Sequence, residues 1–147
     1  MPLGEQIDSY TSLFFVVRIS EGLDYLGTFS EVSGIGMELD VYTYEEGGAN
    51  DFTWKLPKQV KYPNVVLKYG MTDDQTLEKW IMKFLREGTR AQIEIGTKQH
   101  VGEDPQPRWT LHDAFPVKWT GPTFSVSQNQ VAMETLEIAH HGIVPVS

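Results

Sequence analysis

The sequence predicts a mainly β fold: a small antiparallel β-barrel or sandwich of two packed sheets, with one flanking α-helix at about residues 73–87. Three observations predict it. Most of the chain reads as short β-branched and aromatic segments separated by glycine and proline. Several of those segments alternate apolar and polar residues with a period of two. One segment alone carries an apolar stripe at helical spacing.

The first strand is expected at residues 13–19, bounded by Ser12 and by Ser20-Glu21-Gly22. The second spans residues 26–33 and is closed by Gly34. Over residues 37–44, Met37, Leu39 and Val41 point one way and Glu38, Asp40 and Tyr42 the other. The apolar parity is expected in the core, and the polar parity against water or a partner. In residues 64–69, Val65, Leu67 and Tyr69 oppose Val66 and Lys68. Ala91, Ile93 and Ile95 alternate with Gln92 and Glu94. Further strands are expected at residues 109–111, 117–119, 123–127 and 130–139. In the last, Val131 and Met133 share one parity while Leu136 and Ile138 share the other, which predicts a β-bulge at Glu134-Thr135.

The helix is marked at both ends. Thr72 is followed three residues on by Gln75, in the form of a capping box. Leu77, Trp80, Ile81, Phe84 and Leu85 then fall at i, i+3, i+4, i+7 and i+8, a single stripe to lay on a sheet. Gly88 can end the helix in the left-handed region. Asp73 and Asp74 lie near the positive end of the helix dipole, and Lys83 and Arg86 near the negative end.

Two stretches read as loops. One runs from about residue 45 to 63, contains Gly47-Gly48 and Pro57, and shows no strong period. Few compact domains leave so long a loop idle. The other covers residues 96–108, with Pro105, Pro107 and an acidic tip at Glu103-Asp104.

The chain has 147 residues, which fits one domain over 1–147 with a core of its own. It contains no cysteine, so disulfide scaffolds, thiolate metal sites and cysteine catalysis are excluded. Its formal net charge of -8 disfavours a phosphate-neutralising, specific nucleic-acid binder. The charge is uneven. Residues 1–51 carry -9, residues 52–68 carry +4 through Lys55, Lys58, Lys61 and Lys68, and the remainder carries -3. The long loop is therefore acidic at its start, Glu45-Glu46, and basic at its end, a pattern that suits a contact between neighbouring copies and equally a solvated surface with chance clustering. The first twelve residues hold Glu5 and Asp8 and no cationic start with an apolar run, so no signal peptide is expected there. The apolar run at 13–17 is far shorter than the ~20 residues of a membrane helix, so this chain is not expected to insert in a membrane.

A search for chemistry finds no catalytic, metal or cofactor constellation. His140 and His141 are adjacent and would face opposite sides of a strand, so they cannot share a metal; with His100 and His112 they read as surface or edge-strand histidines. Gly34-Ile35-Gly36 lacks the third glycine and the following helix of a dinucleotide site. Of four tryptophans, Trp80 belongs to the helix stripe, and Trp109 and Trp119 read as strand core. Trp54, among lysines, is the candidate interface anchor.

The ordered series Phe29-Ser30-Glu31-Val32-Ser33-Gly34, Tyr44-Glu45-Glu46-Gly47-Gly48-Ala49-Asn50, Lys55-Leu56-Pro57, Lys61-Tyr62-Pro63-Asn64 and Leu67-Lys68-Tyr69-Gly70 resembles the inner tube proteins of contractile phage tails and extracellular contractile injection systems. The stretch 134–142, ending Ala139-His140-His141-Gly142, is similar to the family's last strand. The resemblance covers roughly residues 10–143. Pro63 and Lys58 stand where the family usually has glycine, which leaves the path of the loop open. The Pro105–Pro107 loop and the short C-terminus lean toward the injection-system branch.

The resemblance implies a structural subunit without enzyme activity or cofactor. Six copies would close into a ring, and rings would stack into a tube inside a sheath. The implied partners are the chain itself, a sheath protein, baseplate and tube-terminating proteins, and effector cargo in the channel. Assembly in the bacterial cytoplasm follows, within a phage-tail-like particle open to release. Glu45, Glu46, Asn50, Trp54, Lys55, Lys58 and Lys61 are the candidate inter-subunit contacts, and Glu38, Asp40 and Tyr42 the candidate channel-facing residues. Three alternatives stand beside this reading: a phage major tail tube protein conducting DNA, a tube-initiating baseplate paralogue, and a monomeric β-sandwich carbohydrate-binding module.

Overall fold

The computed structural model describes residues 13–20, 24–44, 53–70, 76–100, 102–121 and 133–146. The strand expected at 123–127, the first part of 130–139, and the capping residues Thr72 to Gln75 lie outside them. The described elements are, in chain order, β1 (Phe14–Ile19), β2 (Asp24–Phe29), β3 (Glu31–Ser33), β4 (Glu38–Tyr44), β5 (Trp54–Lys61), β6 (Val65–Gly70), α1 (Thr76–Glu87), β7 (Ala91–Lys98), β8 (Gln106–Thr120), β9 (Glu134–Ala139) and β10 (Gly142–Pro145).

The expected mainly β fold is present as a two-sheet sandwich with one helix, and not as a closed barrel. Strand order is β2-β1-β7-β8-β9-β6-β3, with β10 on β8 and all pairs antiparallel. Two chain segments carry the path from one sheet to the other. Residues 106–114 of β8 pair with β7, while residues 115–120 pair with β9. Between them Asp113 adopts φ 51, a left-handed conformation that turns the strand. Alongside, β9 gives way to β10 at His140-His141, where the His141 N–H donates to the His112 carbonyl at 2.9 Å. The two bends lie together, as strands switching sheets at a sandwich corner require.

β8 corrects the expectation of separate strands at 109–111 and 117–119. Pro107, expected in the 96–108 loop, belongs to it too, and Pro107, Asp113 and Pro116 fall at a bend and at register shifts of one continuous strand. The segment 26–33 is corrected in the opposite sense. It divides at Ser30 into β2, an edge of one sheet, and β3, an edge of the other.

The expected parities of Val65 with Leu67, Ile93 with Ile95 and Leu136 with Ile138 supply part of the core. Val17, Leu26, Phe29, Val65, Leu67, Ile93, Ile95, Leu111, Leu136 and Ile138 are fully buried. Trp109 and Trp119 are partly buried against this cluster. The predicted irregularity near Glu134-Thr135 is present, but β6 carries the extra residue. Leu67 pairs with Leu136 and Gly70 with Glu134, so Lys68-Tyr69 oppose the single Thr135. Tyr69 takes φ 57 there and is exposed, not on the core parity of Val65 and Leu67. Gly70 passes the Phe29 ring so closely that any side chain would overlap it.

In α1, Leu77, Trp80 and Ile81 are buried as expected, and Phe84 stacks on Phe115 at 5.3 Å between ring centroids. Leu85 does not belong to the buried stripe: it is 70% exposed. Gly88, at φ 68, ends the helix, and its N–H donates to the Phe84 carbonyl.

Candidate functional site

The described part of the expected loop at 45–63 is mostly a strand. Residues 54–61 form β5, which pairs antiparallel with β4 and, among the described residues, with no other strand. The result is a two-stranded ribbon outside both sheets. Glu45, Glu46 and Asn50 lie outside the described residues. Trp54, Lys55, Lys58 and Lys61 stand on β5, and Glu38, Asp40 and Tyr42 on β4.

The ribbon has an anchored root. The chain enters it after Gly34 and leaves it at Asn64, and these two legs touch. A Cβ at Gly34 would overlap the Asn64 carbonyl, and Gly34 sits at φ 86, so glycine is required on both counts. On the departing leg, the Tyr62 ring lies 5.5 Å from the His140 ring, tilted by 48°.

His140 is itself a correction. It is buried, not a surface histidine, and only His141 beside it is exposed. The Gly142 N–H donates to His140 Nδ1 at 3.2 Å, so the neutral ring carries its proton on Nε2. Among the described residues that Nε2 has no hydrogen-bond partner. Burial pushes the His140 pKa below its ordinary 6.5. Arg90 donates to His141 Nε2 at 2.7 Å, and Asp113 Oδ2 lies 3.7 Å from His141 Nδ1.

Register decides which ribbon residues share a face. Leu39 pairs with Val60, Val41 with Pro57 and Thr43 with Lys55, and these six side chains form one face. Glu38 pairs with Lys61, Tyr42 with Leu56 and Tyr44 with Trp54, and together with Asp40 they form the other. Between the two blocks Asp40 alone opposes Lys58-Gln59, a bulge in β5. The Asp40–Lys61 ion pair, 3.0 Å long, lies on the second face. Charged groups therefore hold the root of that face, and Tyr42, Tyr44, Trp54 and Leu56 its outer part.

Every residue of β5 is exposed, and so is every residue of β4 except the half-buried Asp40. This overturns the expectation that Met37, Leu39 and Val41 face the subunit's own core: Met37 is 56% and Val41 48% exposed. Alternation reports that the two faces differ. It does not report whether this molecule or another covers the apolar one. The structure thus brings together two residues expected on different surfaces, Asp40 and Lys61. Sequence reading missed Tyr44, Leu56 and Val60 as members of the exposed surface. Their one available signal was the spacing of Trp54 and Leu56 against Lys55 and Pro57.

Among the described residues no group of three or more His, Asp or Glu side chains is placed to hold a metal ion, and no helix is long and apolar enough to cross a membrane. A cavity of about 520 Å3 lies between α1 and the sheet beside Trp80 and Phe84.

A family model described as the T4-like virus tail tube protein gp19 matches residues 11–144. Three solved structures are similar over nearly the whole chain. One is a chain of the sheath–tube complex of an extracellular contractile injection system, PVC, in the extended state. It is 22% identical, with 100% of this chain and 99% of that chain covered and a TM-score of 0.70. A chain from the PVC sheath/tube terminator is 25% identical, covering 90% and 93%, with a TM-score of 0.69. A chain from the baseplate of the anti-feeding prophage is 24% identical, covering 92% of each, with a TM-score of 0.64. No curated protein sequence matches the chain.

Proposed function

Because the chain belongs to the T4-like virus tail tube protein family, we propose that it is the structural subunit of the inner tube of a contractile injection system. Six copies close into a ring, and stacked rings enclose a channel for cargo. The chain performs no catalysis and holds no cofactor. Its partners are copies of itself, the surrounding sheath, and the baseplate and terminating proteins at the two ends of the tube. Solved chains of similar fold come from sheath–tube, terminator and baseplate structures, which supports this set. The particle is assembled in the bacterial cytoplasm.

The observation that carries the reading is the ribbon. An isolated two-stranded ribbon is marginal in water and needs an apolar surface to lie on. β4 and β5 nevertheless expose Leu39, Val41, Tyr42, Tyr44, Trp54, Leu56 and Val60 together. An apolar patch of this kind on a soluble chain marks a surface covered by another molecule. β2 and β3 end the strand order, and their outer edges are open among the described residues. Neighbouring copies can complete both features, and ring closure leaves no free edge to drive uncontrolled association.

Lys55, Lys58 and Lys61 serve as inter-subunit contacts on the ribbon, with Trp54 as anchor, and Glu45, Glu46 and Asn50 are further contacts in this reading. Glu38, Asp40 and Tyr42, which share one face of β4, line the channel in this reading. An acidic lining limits the sticking of acidic cargo. Size-exclusion chromatography with light scattering tests the assignment. Growth to species of very high mass on concentration is expected. A stable monomer at every concentration, particularly one that binds glycans, would replace the tube reading with that of a carbohydrate-binding module.

A further inference from the structure

We propose that His140 is a proton-operated latch on the β4–β5 ribbon: neutral, it holds the departing leg of the ribbon against the end of β9, and protonated, it lets that leg go. The latch is a property of the single chain. Its consequence for polymerisation rests on the tube reading and gives that reading a means of control.

The latch sits where the backbone ladder between β6 and β9 stops. Their pairing runs from Gly70–Glu134 to Val65–Ile138. Continued by two residues, that register sets Pro63 opposite His140, and a proline has no N–H to give the ladder. Ring contact takes over there. The Tyr62 ring lies 5.5 Å from the His140 ring, and His140 is only 6% exposed. Two residues on, Asn64 packs against Gly34, so the leg that His140 holds also touches the leg by which the chain enters the ribbon. A side chain on this one corner thus bears on both legs.

The chemistry of the ring makes the hold depend on its charge. Neutral His140 accepts the Gly142 N–H on Nδ1 at 3.2 Å. A proton on Nδ1 sets two donors against each other, and among the described residues no carboxylate pairs with the ring. The charged ring is relieved by turning out to water, which parts it from Tyr62. Burial favours the neutral ring, and His141 beside it adds to this; the Gly142 and Pro63 backbones act the other way without reversing it. The other titratable and charged groups around the corner are Tyr62 on the leg, His112 and Asp113 on β8, and Arg90 ahead of β7. A released His140 regains its ordinary 6.5, so each pH unit below that shifts the balance toward release by up to about tenfold, until the lowered folded value is passed.

The chain contains no cysteine, so two can be introduced as its only labelling points. Lys58→Cys on β5 and Glu87→Cys at the end of α1, both at exposed positions, carry nitroxide spin labels. Pulsed electron paramagnetic resonance then measures the distance between ribbon and sandwich in the dispersed full-length chain. One narrow distance distribution is expected at pH 7.5, and at pH 5.5 a distribution broader by about twofold or more. In the same labelled chain His140→Asn, whose side-chain oxygen can accept the Gly142 N–H without titrating, is expected to stay narrow at both. A distribution unchanged between the two pH values, already broad at pH 7.5, or broadening equally in His140→Asn would overturn the proposal.

Tyr62→Leu keeps the test independent of how well His140→Asn folds. It removes the ring that His140 holds and leaves the titrating group in place, so its distribution is expected to be broad at pH 7.5 and indifferent to acid. A wild-type response from this variant would show that the leg is held elsewhere. Polymerisation supplies the functional readout. Tubes counted by electron microscopy are expected to fall by about tenfold or more from pH 7.5 to 5.5 in the unlabelled wild-type chain and to persist in His140→Asn. Equal numbers at both pH values, or equal loss in the two proteins, would overturn the control assigned to His140. Failure of the wild-type chain to form tubes at pH 7.5 would instead count against the tube reading, and the spin-label distances would still decide the latch.

Discussion

Lys61 Nζ lies 3.0 Å from Asp40 Oδ2, joining the two strands of the ribbon near its root. The Asp40 hydrogen bond, then the Asp40 charge, raise the Lys61 pKa, and Glu38 adds to the effect. Lys61 is solvated, so the pair orients the ribbon face more than it stabilises the fold. Asp40→Lys is expected to lower assembly while leaving the melting temperature of the dispersed chain unchanged. The exchange Asp40→Lys with Lys61→Asp is expected to recover assembly. Turbidity and pelleting of the three proteins at matched salt check this, and a swapped pair no better than Asp40→Lys would refute it.

Reversing Lys55, Lys58 and Lys61 together, each to Glu, removes the cationic character of β5. The net charge of the chain then moves from -8 to -14. Polymerisation is expected to stop, with the circular dichroism spectrum unchanged because all three side chains are exposed. Tubes at normal yield from this triple variant would contradict the assignment of β5 to inter-subunit contact.

Trp80 and Leu85 separate the two sides of α1. Trp80→Ala leaves a cavity under the helix and is expected to cost about 3–5 kcal/mol. Leu85→Ala, at a side chain 70% exposed, is expected to change stability by no more than about 0.5 kcal/mol. Chemical denaturation of the dispersed chain measures both.

His140 makes the ribbon root sensitive to acid. Burial lowers its pKa in the folded chain, so the unfolded chain binds the extra proton more readily. The stability contributed by neutral His140 is complete above the ordinary pKa of 6.5. It is lost as pH falls from there through the lowered folded value. Protonation of Nδ1 also removes the acceptor for the Gly142 N–H. Tyr62, His112, Asp113, His141 and Arg90 lie around the same corner. Between pH 7.5 and 5 the melting temperature should fall. His140→Asn keeps a side-chain acceptor without a titrating ring and should flatten that fall. An equal slope in the variant would assign the acid sensitivity to other groups.

Gly34→Ala tests the pinned root. The added Cβ meets the Asn64 carbonyl and the backbone sits at φ 86, so a cost of about 1–3 kcal/mol is expected. Assembly should fall further than the melting temperature alone accounts for, because the two legs of the ribbon separate.

Much of the sandwich was legible because burial inside one subunit leaves a period. Ile93, Ile95, Val65 and Leu67 alternate because one side of each meets the core. Leu77, Trp80 and Ile81 recur helically because one side of α1 does. Leu85 misled because it lies roughly 80° round the helix from Leu77, at the margin of the stripe. Tyr69 misled because a bulge reverses parity within β6.

The ribbon was the least legible part for a related reason. β5 has both faces exposed in the subunit, so Lys55, Pro57 and Lys58 stand where a half-buried strand would alternate strictly. Its pattern does not answer to the core of its own subunit. The bends at Asp113 and His140-His141 likewise look like chain breaks, because local sequence does not show that two bends lie side by side.

Electron microscopy of the concentrated, purified chain tests the central claim most directly. Hollow tubes of uniform bore, built of stacked sixfold rings with the β4–β5 ribbons buried between copies, are the predicted result. Uniformly dispersed monomers across salt and pH, with the ribbon still facing solvent, would contradict the account.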